Sequence, residues 1–380
     1  MTMVSARPNG LLLGAGASCE IGMPLVWQLS EELRRGIQLA DLRALNRDIW
    51  LPRGDGYPLS VVEEVYSMLD HPDVHYEALL GYLEAQQLRG NENLQHYHGL
   101  RLRLIEIVYH ILLSRHLKAP DPSKDARRLF GIAALARTAK PLWVFSLNHD
   151  MFVEMMAAEF RVVLNTGFEE TFLTIPTTPG QRGVRARVMS ADEINQNRWR
   201  FLAPGDDGIN LLKIHGSLDM FAAFRSPDDL LRIEPELDKG AAGVLAPLRL
   251  LNEHVGANLP FHFTNGLVYE DAGGALQFLK RSIVSGVFKF IPERSEQVLP
   301  PAWMNWFRNY LAQVNTLAVV GYGLGDIHIN TVLREWLEIA AHRTVQIVSP
   351  DIKAIPAPFL HLAPQVTLVR AKAIEYFSQF

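Results

Sequence analysis

Four short stretches concentrate the glycine and polar residues able to do chemistry, and each of them follows an apolar run. They are Gly14-Ala15-Gly16-Ala17-Ser18, Ser146-Leu147-Asn148-His149-Asp150, Lys213-Ile214-His215-Gly216-Ser217 and Gly321-Tyr322-Gly323-Leu324-Gly325-Asp326. The first follows three leucines and leads to Gly22-Met23-Pro24 and a helical pattern beginning near Leu25. A strand feeding a glycine turn that opens toward a helix is how α/β proteins meet a nucleotide phosphate, because bare backbone N–H groups can approach the ligand. Cys19 stands where a dinucleotide fingerprint has its third glycine, so a tight turn without a ligand competes with that reading. Asn148 and Asp150 supply two polar side chains at one strand end, where a turn needs at most one. Taken singly, either could cap a helix starting at Met151. His215 carries the one side chain whose ordinary pKa lies near neutrality, which suits proton transfer. Alone, such a residue is more often a satisfied core histidine than a catalyst.

The elements that must position these stretches follow from hydrophobic periodicity. Short apolar runs at 10–14, 142–147, 210–214, 316–321, 344–348 and 365–369 read as buried parallel strands. Helical spacing covers 25–35, 60–69, 75–88, 94–117, 125–138, 151–160 and 302–313, and Asp326 is placed to cap a helix over 329–340. The alternation predicts an α/β fold: a doubly wound, Rossmann-like parallel sheet with a helical lobe and insertions. Residues 9–24, 140–220 and 302–372 form its core, 25–139 a helical lobe and 221–300 a variable insertion of mixed helix and loop. In such a sheet the loops at the strand carboxyl ends make the ligand crevice, and all four stretches belong to that edge. Residues 162–203 read as short strands and loops. Arg182, Arg185, Arg187, Arg198 and Arg200 within 181–200 read as a solvated loop.

Composition narrows the function classes. The 380 residues carry 37 Lys and Arg against 41 Asp and Glu, a net charge of −4, so no global basic field draws the chain to nucleic acid and direct nucleic-acid binding is not expected. No apolar run approaches the ~20 residues that span a bilayer, and no signal-peptide pattern opens the chain. A cytoplasmic protein without membrane contact is expected. The single cysteine, Cys19, rules out a cysteine-built zinc site within the chain. The histidines show no metal-ligand spacing, so no metal is expected.

Taken in order, the four stretches resemble the sirtuin family, and more closely the sirtuin-like NAD-hydrolase domains of bacterial anti-phage defence systems. Those domains show a late Gly-Tyr-Ser-x-x-Asp-x-x-Ile-Asn segment, which here reads Gly321-Tyr322-Gly323-Leu324-Gly325-Asp326-Ile327-His328-Ile329-Asn330. The resemblance spans residues 11 to about 348, with specificity in the motif islands, and implies one sirtuin-like unit over the whole chain. It implies that Gly14, Ala15, Gly16, Ser18 and Pro24 sit against NAD+, and that Gly321, Gly323 and Asp326 lie near its adenosine side. Asn148 would order the attacking water or acyl oxygen at the nicotinamide ribose, Asp150 would sit beside the carboxamide, and His215 would take a proton near the ribose hydroxyls.

Two departures shape the expected reaction. Protein-deacylating sirtuins carry a four-cysteine zinc ribbon that this chain cannot build. They also place glutamine before the catalytic asparagine, where this chain has Leu147. Water is then the expected acceptor, and the chemistry becomes hydrolysis of NAD+, a substrate here, to nicotinamide and ADP-ribose. The resemblance further implies an NAD-depleting effector that works as a homo-oligomer, with a separate HerA-like hexameric ATPase as a possible partner. Two alternatives use the same pocket: an NAD-dependent deacylase or ADP-ribosyltransferase, and a non-catalytic module that senses NAD or ADP-ribose. A toxic activity also implies an occluding segment, from the helical lobe or from 221–298.

Overall fold

The computed structural model describes residues 7–380 except 55, 91, 169, 178–182, 197–199, 224–228, 255–263, 272, 284, 287–298 and 301. The chain divides into two compact units. One holds the residues up to Met23, Leu112–Ile283 and the chain from 299 onward; the other holds Pro24–Ile111 with 285 and 286.

In chain order the strands are β1 (Gly10–Leu13), β2 (Leu142–Ser146), β3 (Leu164–Asn165), β4 (Phe172–Ile175), β5 (Val184–Met189), β6 (Ile209–Lys213), β7 (Met220–Ala223), β8 (Leu230–Ile233), β9 (Gly266–Glu270), β10 (Leu276–Arg281), β11 (Thr316–Val320), β12 (Thr344–Val348) and β13 (Val366–Val369). All belong to the first unit. Seven form a parallel sheet in the order β13-β12-β11-β1-β2-β6-β3. The six strands expected from the apolar runs are all present, and the two-residue β3 extends one edge.

From β1 the chain moves outward to β2 and β6, then returns to β11 on the other side of β1 and moves outward to β12 and β13. Crossovers between parallel strands are right-handed, so reversing the direction of travel moves the covering helices to the opposite face. This is a doubly wound Rossmann-like sheet, with its switch point between β1 and β11. Burial on both faces explains the unbroken apolar runs: Leu11, Leu12, Val144, Phe145, Leu317 and Ala318 are wholly buried. Helix Trp303–Leu311 packs on this sheet, with Phe307 at 5.1 Å from Phe145 and Tyr310 at 4.8 Å from Trp143 between ring centroids.

A second sheet, of six antiparallel strands in the order β4-β5-β8-β7-β10-β9, occupies much of the stretch between β3 and helix Trp303–Leu311. The expected mixed helix and loop over 221–300 is therefore corrected: its described part contains strands β8, β9 and β10 beside helix Gly240–His254. The solvated arginine loop is corrected as well. Arg185 and Arg187 lie on β5, where both reach Glu234, at 3.1 and 3.5 Å, and both stack over Phe172. Arg182 and Arg198 lie outside the described residues, as do parts of 221–300.

The second unit is helical. Helices Val26–Gly36, Leu39–Leu45, Leu59–Asp70 and Tyr76–Leu88 join the part of helix Leu94–Leu117 that ends at Ile111. Its helices are tied by polar hooks as well as apolar packing. Ser30 Oγ accepts the Tyr76 N–H at 2.9 Å, and Arg34 donates to the carbonyls of Leu69 and His71 at 2.8 Å each. Among the described residues no helix is long and apolar enough to cross a membrane.

Candidate active site

Strand register brings the four stretches to one level. Leu13 pairs with Ser146 on one side and Val320 on the other, and Ser146 pairs with Lys213. Gly14 and Gly321 are thus the first residues past the edge of their strands. Asn148 and His215 each lie two residues past a directly paired position. Four neighbouring strands, β11-β1-β2-β6, release their loops side by side at the switch point, where doubly wound sheets bind ligands.

The first loop and the late loop are fused by backbone contact. Gly14 N–H donates to Val320 O at 3.0 Å and Gly16 N–H to Gly321 O at 2.8 Å. A Cβ on Gly321, which has φ +64°, would lie 2.2 Å from Ala17 N; one on Gly14 would lie 2.6 Å from Tyr322 Cα. Glycine is required because two main chains meet there. The helix expected near Leu25 is present as Val26–Gly36, and a short helix not expected from the sequence precedes it. The turn winds into a five-residue helix, Ala15–Cys19, and the longer helix Val26–Gly36 belongs to the second unit. Gly16 N–H is already used, so it is not a free phosphate donor. Ala15 and Gly16 remain part-exposed, while Gly14 and Ser18 are buried.

Asn148 ties the second loop to the first. Its Nδ2 donates to Gly14 O at 2.9 Å and Ser18 Oγ at 3.0 Å, and its own N–H donates to Ser146 Oγ at 3.1 Å. Since the Gly14 carbonyl can only accept, the orientation of the amide is fixed and Oδ1 faces away as an acceptor. Asp150 also has local work: its Oδ1 accepts the Phe152 N–H at 3.2 Å, at the start of helix Phe152–Phe160. Met151 is the N-cap residue of that helix and has no side-chain cap bond, so Asp150 acts from one residue outside the cap position weighed for it.

His215 meets the late loop. Its Nε2 lies 3.2 Å from Asp326 Oδ2, and both side chains are less than a tenth exposed. The other oxygen of Asp326 caps helix Ile327–Ile339, accepting from His328 N–H at 3.0 Å and Ile329 N–H at 3.4 Å. One carboxylate therefore starts a helix and faces an imidazole. The resemblance placed Asp326 toward an adenosine; this geometry places it at the histidine. The late loop is held by Tyr322, whose hydroxyl accepts the Asp326 N–H at 3.0 Å and lies 3.1 Å from Asn330 Oδ1. Asn330 Nδ2 in turn donates to the carbonyl of Leu324, at 2.7 Å. Next to His215, Gly216 makes room for protein and not for a ligand: with φ +77° its Cβ would come 1.8 Å from Ser282 O.

Gly323 is exposed and a Cβ there would meet nothing within 4 Å, so packing does not demand glycine at that position. Pro24 is the first residue of the second unit.

Sequence reasoning missed the layer below. Lys213 Nζ donates to Asn148 O at 3.3 Å and, more closely, to Asp150 O, and it lies 3.5 Å from Glu154 Oε1. Arg232 bridges Glu154 and Asp219 at 2.6 Å each. Burial pushes the Glu154 carboxyl up, against the opposing pull of Lys213 and Arg232. For Arg232, burial works against the charge, but Asp219 and Glu154 outweigh it and raise its pKa. His116 Nε2 accepts the Met151 N–H at 3.0 Å, and its pKa is lowered to about 4, chiefly by burial. Lys213 stands in an apolar strand run and His116 in an amphipathic helix. Only the charge inside an otherwise buried strand signalled that Lys213 was unusual.

No protein-family model matches the chain, and no curated protein matches it. Among solved structures it is similar to a Sir2 homologue in complex with NAD, with 14% identity over 98% of this chain and 88% of the other at a TM-score of 0.42. It is also similar to a mutant Sir2 homologue bound to 2′-O-acetyl ADP-ribose, with 13% identity over 98% and 91% and a TM-score of 0.41. At that identity and those scores, the fold and the site stand on the chain's own geometry.

Proposed function

We propose that the chain is an NAD+ glycohydrolase, cutting the bond between nicotinamide and ribose to give nicotinamide and ADP-ribose. The observation that carries this reading is the placement of Asn148 and His215 past neighbouring strands at one sheet edge, the first bonded to the glycine loop and the second facing Asp326. The order of the four motifs supports it. Nicotinamide leaves NAD+ as a neutral base, taking the bonding electrons, so the leaving group needs no acid. What remains is a ribosyl cation and a water that must be oriented and deprotonated. Asn148 has both Nδ2 hydrogens engaged, so its Oδ1 orients the water by accepting a hydrogen bond. His215 takes the proton from the water or from a ribose hydroxyl, and Asp326 holds the imidazole and balances its new charge.

In the cell the chain would act in the cytoplasm as the NAD-depleting effector of an anti-phage defence system, in a homo-oligomer and with a separate HerA-like hexameric ATPase. The direct test follows NAD+ loss and nicotinamide release with the pure chain, alone and with such an ATPase. Hydrolysis by the wild type that disappears in Asn148→Ala and His215→Ala is expected. Turnover only with an acylated or acceptor protein would favour the transferase alternative. Saturable NAD+ binding without nicotinamide release would favour a sensor.

A further inference from the structure

The last residue of β6 places an ammonium where a buried strand ordinarily places a hydrocarbon. Lys213 is 1% exposed and directly follows Leu211 and Leu212. A buried cation is costly unless several partners replace its water. Its partners are two consecutive-but-one carbonyls of the loop after β2, those of Asn148 and Asp150, and the carboxylate of Glu154. Glu154 is held more closely by Arg232, at 2.6 Å against 3.5 Å, and Arg232 also takes Asp219. The nearest bond of the Lys213 ammonium therefore goes to the loop carbonyl of Asp150. The β6 strand is itself anchored at this point, since Trp303 Nε1 donates to Lys213 O at 3.0 Å.

We propose that Lys213 is a positioning residue for Asn148. Gripping the carbonyls on both sides of His149 fixes the backbone of that loop and so the direction in which Asn148 projects toward the glycine turn. The ion cluster anchors the ammonium from below. The effect on turnover rests on the hydrolase reading given above; the tether itself does not.

Deleting Lys213 alone would leave two buried carboxylates, Glu154 and Asp219, to the single cation of Arg232 and could unfold the chain, so two charge-balanced double variants are compared. Lys213→Met with Glu154→Gln removes the carbonyl tethers. Arg232→Met with Asp219→Asn removes as much buried charge but keeps them. Hydrogen exchange is read at the amides of Asn148, Met151 and Phe152, each of which has a hydrogen-bond partner in the folded chain. The first variant should exchange there about tenfold faster than the second, and its kcat for NAD+ should fall by about tenfold to a hundredfold with KM little changed, as for a misplaced catalytic group. The second should stay close to wild type on both. Equal exchange in the two variants would overturn the proposal. An inactive wild type would refute the hydrolase reading instead, and the exchange comparison would still decide the tether.

Discussion

At the scale of single residues, Asp326 separates a structural from a chemical role. One of its oxygens caps helix Ile327–Ile339 and the other faces His215 at 3.2 Å. Asparagine caps as well as aspartate does, so Asp326→Asn should keep stability within about 1 kcal/mol while removing the charge that supports the imidazole. Turnover of NAD+ should fall at least about tenfold; unchanged turnover in the folded variant would remove Asp326 from the mechanism. His116 carries a pH prediction of defined sign. Its ordinary pKa is 6.5 and burial lowers it to about 4 in the fold, where Nε2 must stay unprotonated to accept the Met151 N–H. Between those values the unfolded chain binds a proton that the folded chain does not, so stability falls as pH drops through the window. The loss amounts to about 3 kcal/mol by pH 4. Urea unfolding at pH 7 and pH 4.5 should show most of that loss in the wild type and much less in His116→Gln. Parallel pH dependence in both would contradict the assignment.

At the scale of elements, the glycines of the late loop divide by what surrounds them. Gly321 has φ +64° and its Cβ would lie 2.2 Å from Ala17 N, whereas a Cβ on Gly323 meets nothing within 4 Å. Gly321→Ala should part the first and late loops and cost about 2 kcal/mol or more, with Gly323→Ala within about 0.5 kcal/mol. Comparable melting temperatures for the two would contradict the contact. The six main strands of the parallel sheet were legible because strands buried on both faces read as unbroken apolar runs. The antiparallel sheet was not. Val184-Arg185-Ala186-Arg187 alternates with the period of a half-buried strand, but its arginines suggested a solvated loop, and β10 does not alternate in burial at all. The site was legible as a set of strand ends. Its wiring was not, because the bonds from Asn148 to Gly14 and Ser18 join residues more than a hundred positions apart.

At the scale of the whole molecule, the switch point between β1 and β11 gathers these residues. The chain reverses direction there, so loops from four neighbouring strands leave at one level. Gly14, Gly16 and Gly321 pack two of those loops on each other, and under the proposed reaction Asn148 and the His215–Asp326 pair are the groups that act on the ligand. In the proposed reaction water is the acceptor of the ribosyl group. Turnover of NAD+ in water enriched in oxygen-18, followed by mass spectrometry, tests it at the bond that forms. ADP-ribose heavier by one labelled oxygen, with unlabelled nicotinamide and no requirement for an acyl or protein acceptor, is expected. Unlabelled product, or nicotinamide release only when such an acceptor is supplied, would contradict it.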